Sequence, residues 1–335
     1  MSNQTPRITI IGTGRMGYNH ARLLGRLGFL DSVVDIDRQR AEAIGEQFKK
    51  PWYTSIEDLV KHRSPNGVII AVPTRFHSEV ARSVIEFLPD LQAMLIEKPI
   101  SSSTEDALQL KKSLKQTHVK TIVGHIEVFN PVVTRIQEIV NQDIIGSMRS
   151  ILFQRRGTIT ESRIEAVGDI YEDIGVHDFD VASRLIPKGK IRLFSVAIQS
   201  EGVDNSSTII LSHDSEELFV TFLLSREHAG KVRMIDIEGT KATLIANLLT
   251  QVIELRSLEI ARGETESSAI RIPFSNGEQV KVYGEPLLLE IWNLIDCIRG
   301  ISVPLVSLDD GINALKLVEA ARQSTRTGQS VQLEI

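Results

Sequence analysis

Lys98 follows the apolar run Ala93-Met-Leu-Ile-Glu97, which reads as a buried strand, and it precedes Pro99. Val72-Pro73-Thr74 closes a second such strand, Gly67-Val-Ile-Ile-Ala-Val-Pro73. The ends of parallel strands are where a doubly wound sheet delivers side chains to its ligand. The other reading of Lys98 is an ordinary surface charge. The proline after it restricts Lys98 to extended backbone, and the Lys98–Pro99 bond is open to the cis form. A second constellation is Asp173-Ile-Gly-Val-His177-Asp-Phe-Asp180. Read as a helix, Asp173, His177 and Asp180 stand at i, i+4 and i+7 and share one face. A histidine flanked by carboxylates can be oriented and tuned as a general acid or base. The competing readings are a helix start favoured by acids and a structural histidine. A metal site built from these His and Asp residues lacks a third ligand at matching spacing, so no metal is expected.

The stretch Arg7-Ile-Thr-Ile-Ile-Gly12-Thr13-Gly14-Arg15-Met16-Gly17 supplies a binding turn. Its isoleucines suit a strand buried on both faces. In G-x-G-x-x-G the first glycine permits a tight turn, the second lets a pyrophosphate approach, and the third lets the next helix pack closely. That helix, roughly Tyr18 to Leu27, aims unpaired N–H groups at the phosphates. Asp35 ends the next strand, where a dinucleotide-binding unit has its acidic ribose ligand. A carboxylate accepts hydrogen bonds from both ribose hydroxyls and repels a 2′-phosphate, and Ile36 beside it offers that phosphate no charge. NAD is therefore expected over NADP, with Arg38 and Arg40 keeping NADP as a minority reading. Asp37 reads either as a second ribose ligand or as a solvated loop acid.

These residues need elements to hold them. A chain of 335 residues is long for one small core and suggests two domains. The net charge of −5, without a basic run, argues against nucleic acid or anionic membrane as primary partners. The single cysteine, Cys297, excludes an intrachain disulfide and a Cys-rich metal site and reads as packing. The polar start lacks a signal-peptide core and no segment has the length and apolarity of a membrane span, so a cytoplasmic location is expected.

Strand and helix patterns alternate through Thr121-Ile-Val-Gly-His125, predicting an α/β fold with a doubly wound parallel Rossmann sheet over residues 1–124. Within it, Ser55 with Asp58 makes a capping-box-like helix start. Beyond Pro131 the texture changes to strands in series: 148–156, 191–199, 207–212, 218–226, 232–238, 242–246 and 251–256. Helices recur only near 132–140, 174–185, 286–299 and 309–326. This predicts an α+β second domain over 125–335 with a large, mostly antiparallel open sheet, its last helix packing back towards the first domain.

Gly12 to Gly17, Val72-Pro73-Thr74, Glu97-Lys98-Pro99 and Asp173-x-x-x-His177-x-x-Asp180, in this order, resemble the Gfo/Idh/MocA oxidoreductase family from about Arg7 to the C-terminal helix. The resemblance implies NAD(P) lying over the glycine turn and held also by Val72, Pro73, Thr74, His77, Glu97 and Lys98. It implies that Lys98 polarises or protonates at the substrate oxygen, that His177 is the acid/base, and that Asp173 helps position substrate. It also implies an open sheet that makes homodimers or homotetramers. A narrower likeness lies in Val123-Gly-His125-Ile-Glu-Val-Phe-Asn-Pro131, Arg155-Arg156-Gly157, Asp169 to Asp180 and Tyr283 to Glu290. These are similar to the branch that oxidises UDP-N-acetyl-hexosamines or their uronates at C3, although that branch usually has arginine where Val128 stands. By that likeness His125, Arg156 and Arg163 join Lys98, Asp173 and His177 at the substrate. Arg156 and Arg163 read equally as solvated or salt-bridged arginines.

The expected activity is an NAD-dependent dehydrogenase acting on a secondary alcohol of a sugar or nucleotide sugar. An inositol or polyol dehydrogenase and an aldose oxidoreductase are the alternatives, and outside enzymes a nucleotide-sensing regulator on the same fold.

Overall fold

The computed structural model describes residues 5–159, 168–200, 203–258, 270–273 and 284–335. The chain forms two compact units, one of residues 1–126 with Leu287–Leu315 and one of Glu127–Pro286 with Lys316–Ile335.

The first unit is a six-stranded sheet in the order β3-β2-β1-β4-β5-β6, every pair parallel. Its strands are β1 (Ile8–Ile11), β2 (Leu30–Val34), β3 (Trp52–Tyr53), β4 (Gly67–Ile70), β5 (Ala93–Glu97) and β6 (Lys120–Gly124). Between them run α1 (Arg15–Leu27), α2 (Arg38–Phe48), α3 (Ile56–His62), α4 (His77–Phe87) and α5 (Thr104–Leu114). This is the dinucleotide-binding strand order, with its switch point between β1 and β4. All residues of β1, β4 and β5 are buried, as continuous apolar runs demand in a sheet covered on both faces. Ser55 caps α3 as expected, its hydroxyl accepting from the Asp58 N–H at 3.1 Å.

One helix belongs elsewhere than the sequence pattern suggests. α8 (Pro286–Arg299) was expected in the second domain, yet from Leu287 onward it lies in the first unit. Its Leu287, Ile291, Leu294, Ile295 and Ile298 share one core with Ile8, Leu24, Leu30 and Leu95, and Cys297 packs there too. Gly67 explains the closeness, because a Cβ on it would stand 2.4 Å from Cδ1 of Ile298. An apolar helix face announces burial without naming its partner.

The second unit is built on a nine-stranded sheet in the order β14-β13-β12-β11-β7-β10-β9-β8-β15. Its strands are β7 (Met148–Thr158), β8 (Lys190–Ser200), β9 (Val203–His213), β10 (Phe219–Ser225), β11 (Glu227–Gly239), β12 (Ala242–Asn247), β13 (Val252–Ser257), β14 (Ile270–Pro273) and β15 (Val331–Glu334). Among the described pairs only β7 with β10 is parallel. The short β14 and β15 were not anticipated, since four residues carry little periodicity. α6 (Pro131–Asn141) and α7 (Val176–Leu185) belong here, and α9 (Leu308–Thr327) contributes to both units. Phe222 joins sheet to helix: Phe153 stacks on it at 5.1 Å, and Phe179 of α7 meets it edge-on at 4.9 Å. The alternate residues of β8, β9 and β10, namely Phe194, Val196, Ile198, Ile210 and Phe219, are exposed. Period two therefore gives these strands two apolar faces, of which one is bare.

Candidate active site

The glycine turn behaves as three separate devices. Gly12 sits at φ 93°, and a Cβ there would come within 2.6 Å of the Ala71 carbonyl oxygen. A Cβ on Gly17 would lie 1.8 Å from the Gly12 oxygen, so α1 can pack this closely only on glycine. Gly14 has nothing within 4 Å of its would-be Cβ, which leaves the backbone open to an approaching ligand. It is also the N-cap of α1, with no side-chain cap and no acid in the first turn. Unpaired N–H groups and an uncompensated helix dipole fit a pyrophosphate. Arg15 and Met16 begin the helix, Arg15 exposed and Met16 packed against the core.

Asp35 is buried at the carboxyl end of β2. Its Oδ2 accepts from the N–H and the hydroxyl of Thr13, both at 2.8 Å, and its Oδ1 accepts from the Asp37 N–H at 2.9 Å. The acid is thereby fixed beside the turn before any ribose arrives. Ile36 is 90% exposed. Asp37 is neither free loop acid nor evident ribose ligand, because its side chain caps α2 by accepting from Gln39 and Arg40 N–H. Arg40 lies 3.6 Å from Asp35 and 3.1 Å from Asp37.

Two strand-end loops meet at His77. Its Nε2 is 2.9 Å from the Val72 carbonyl and its Nδ1 is 2.8 Å from the Pro99 carbonyl, tying the Val72-Pro73-Thr74 turn to the segment after β5. The Lys98–Pro99 bond is cis. Lys98 is half-buried, and its N–H donates to Glu97 Oε2 at 3.3 Å. Glu97 Oε1 pairs with Nε2 of buried His20, on α1, at 2.7 Å. Burial alone would raise the Glu97 carboxyl, but the His20 hydrogen bond and the charges of His20, Lys98 and His77 hold it below its ordinary range. His125, at the end of β6, is buried.

In the second unit, the helix bearing His177 does not begin as expected. A π-helical turn, Tyr171–Gly175, precedes α7, so Asp173 lies in a wider turn than its neighbours. Such turns cluster at functional sites. Tyr171 pins this turn through its hydroxyl, 3.1 Å from Ser195 Oγ and 2.7 Å from Thr325 Oγ1. Asp173 pairs with Arg226 at 3.2 Å, and Arg226 also donates to the Gly168 and Asp169 carbonyls. Arg322 bridges Asp169 and Glu172. His177 is half-buried. Asp180 is fully buried and pairs with Arg184 at 3.4 Å within α7.

A buried charge network around Arg155 was given no role by the sequence reading. Arg155 donates from Nε and Nη2 to Asp178 Oδ1, at 2.9 and 2.7 Å, and from Nη1 to Glu127 at 2.8 Å. Burial disfavours its charge, but Asp178 and Glu127 outweigh that and raise its pKa. Burial raises Asp178, with Arg155 opposing, whereas Arg155 holds Glu127 down against its own burial. Arg233 is pushed down to about 10 by burial and by the Arg155 charge. Asp178 follows His177 directly, so this network fixes the start of α7. Arg156, one residue on, points to the opposite face of β7 and donates to Gln154 at 2.7 Å. Arg163 and Tyr283 lie outside the described residues.

No described helix is long and apolar enough to cross a membrane. A family model for an oxidoreductase family with an NAD-binding Rossmann fold (Gfo/Idh/MocA) matches residues 6–125. The model for that family's C-terminal alpha/beta domain matches 160–333. The chain is 25% identical over 342 residues to an inositol 2-dehydrogenase of Rhizobium meliloti, covering 98% of this chain and 99% of that one. It is 25% identical over 231 residues to a UDP-N-acetylglucosamine 3-dehydrogenase of Acidithiobacillus ferrooxidans, covering 68% and 70%. A crystal structure of the Acidithiobacillus ferrooxidans 3-dehydrogenase has a TM-score of 0.81 at 18% identity, covering 95% of this chain and 97% of that chain. A Bordetella pertussis dehydrogenase, solved with NADH and UDP-GlcNAcA, has 0.83 at 17% identity, covering 100% and 99%. At those identities the two structures speak for the fold alone. With both family domains matched in order over most of its length, the chain belongs to the Gfo/Idh/MocA family of oxidoreductases and carries that family's NAD-binding Rossmann domain.

Proposed function

We propose that this protein is an NAD-dependent dehydrogenase moving a hydride between a secondary alcohol of a sugar or nucleotide sugar and the nicotinamide. The observation that carries the reading is the pairing of an Asp35-fixed glycine turn with Lys98 at the end of β5 in the same unit. A turn built only to sense NAD needs no lysine there. When bound, NAD supplies the hydride acceptor. Lys98 hydrogen-bonds the substrate oxygen and stabilises the alkoxide that forms as the hydroxyl proton leaves. His177 takes that proton in oxidation and returns it in reduction. Asp173, anchored by Arg226, orients the sugar. His77, Val72, Pro73 and Thr74 shape the cofactor half, while His125, Arg156 and Arg163 are proposed substrate contacts.

The substrate is a choice between two classes. A UDP-N-acetyl-hexosamine oxidised at C3 is supported by the named relative of that activity and by the narrower sequence likeness. A cyclic polyol is supported by inositol dehydrogenases of Rhizobium meliloti and Thermotoga maritima, 25% and 24% identical across 98% of this chain. NADH formation by the purified protein on UDP-N-acetylglucosamine but not on myo-inositol is expected. The reverse preference selects the polyol reading, and tight NAD binding without turnover on either, or on a wider sugar panel, removes the dehydrogenase reading.

The bare apolar face of β8, β9 and β10 fits a second copy of the chain, giving a homodimer or homotetramer. Light scattering of wild type against Phe219→Glu tests this, the variant being expected to dissociate to a smaller species.

A further inference from the structure

Behind Lys98 lies a buried cluster that the proposed chemistry does not use. His20 from α1, Glu97 from β5 and Glu290 from α8 each place one ligand atom within 4.8 Å of the others. Their exposures are 0%, 7% and 1%. Among the described residues, His20 Nδ1 and both carboxyl oxygens of Glu290 have no hydrogen-bond partner. An orphaned acid aimed into a buried cluster needs an occupant, either a divalent cation or a proton.

Distance decides between them. Two ligands bound tetrahedrally to one ion at about 2.1 Å stand about 3.4 Å apart. His20 Nε2 and Glu97 Oε1 are 2.7 Å apart, the length of a charge-assisted hydrogen bond. That contact leaves no place for an ion between them. Two carboxylates this close and this dry cannot both stay ionised. Glu97 has cations around it and keeps its charge. At Glu290, burial together with the Glu97 charge pushes the carboxyl well above its ordinary range.

We propose that Glu290 is a positioning residue for Lys98: as a neutral carboxylic acid it shares its hydrogen with Glu97, directly or across one water. Glu97 then carries a single negative charge, held from one side by His20 and from the other by the Lys98 N–H. The cluster links α1, which begins at the cofactor turn, to the residue proposed to touch substrate, and α8 closes it from behind. The titratable groups gathered with Glu290 are His20 on α1 and Glu97 at the end of β5, while Lys98 and His77 act on Glu97. Only the kinetic part of the proposal rests on the dehydrogenase reading.

Infrared difference spectroscopy of the full-length protein at neutral pH, wild type minus Glu290→Gln, is expected to show the C=O stretch of a protonated carboxylic acid. Glu290→Ala is expected to lower kcat on the order of tenfold to a hundredfold through misplacement of Lys98, while NAD affinity changes little. Glu290→Gln, which keeps the shape and a hydrogen to donate, should recover most of that loss. Absence of the protonated-acid band overturns the proposal, as does elemental analysis finding one equivalent of divalent metal in wild type that Glu290→Gln lacks. If wild type turns over no sugar, the dehydrogenase reading fails while the infrared result still decides the state of Glu290.

Discussion

The cofactor turn of the first unit and the His177 helix of the second are held by opposite means. Around the turn, geometry comes from side chains left out: Gly12 and Gly17 let backbones touch, and one acid, Asp35, locks Thr13 in place. Around α7, geometry comes from charges taken out of water, with Arg155 held by Asp178 and Glu127 and Asp173 held by Arg226. The lesson is one of tolerance. A turn made of backbone fails by steric collision, whereas a buried ion network fails when one partner leaves and strands the others.

The largest expected effect breaks the charged half. Arg155→Ala leaves Asp178 and Glu127 buried without their cation and is expected to cost about 3–5 kcal/mol of stability, read by chemical denaturation. The double variant Arg155→Met with Asp178→Leu should recover part of that loss, because no unpaired charge remains at 178. Next is Gly17→Ala, whose methyl group would stand 1.8 Å from the Gly12 oxygen. It should destabilise the fold by about 1–3 kcal/mol or more and weaken NAD binding as well.

Glu290 adds a pH dependence to the first unit. Its folded pKa lies above the ordinary 4.5, so its stabilising contribution is complete below that value and is lost as pH rises towards the folded one. Over that range the loss is about 1.4 kcal/mol per pH unit. The stability of wild type should therefore fall with rising pH relative to Glu290→Gln, and parallel curves for the two would contradict the neutral acid. The smallest effect is the most selective. Gly14→Ala meets nothing within 4 Å, so its melting temperature should match wild type while NAD affinity drops about three- to tenfold. Equal losses from Gly14→Ala and Gly17→Ala would erase the division of labour within the turn.

What the sequence made legible was local. The turn, Asp35 and the lysine after β5 lie within stretches whose spacing states their geometry, and the alternating strands of the second unit did the same for its sheet. What it hid was pairing at a distance. α8 shows an apolar face, but nothing in that face says that it packs on β4 rather than on its sequence neighbours. Glu290 did leave a signal, an acid within the apolar stripe of Leu287, Ile291 and Leu294. Arg155 left one as well, since it shares the inward parity of Ile151 and Phe153 while Arg156, the residue singled out, has the other. The π turn at Tyr171–Gly175 left none, because Asp173 and His177 are spaced as an ordinary α-helix would have them. The lone polar residue on an apolar face is thus the mark that reading by motif passes over.

Lys98 and His177 are proposed to do the proton chemistry while the glycine turn holds NAD. Single-turnover NADH absorbance, with NAD-loaded protein mixed with UDP-N-acetylglucosamine or the best substrate of the sugar panel, tests this most directly. Lys98→Ala and His177→Ala are each expected to slow hydride transfer by about 10²- to 10⁴-fold with NAD affinity retained. Hydride transfer at the wild-type rate in both variants would contradict it.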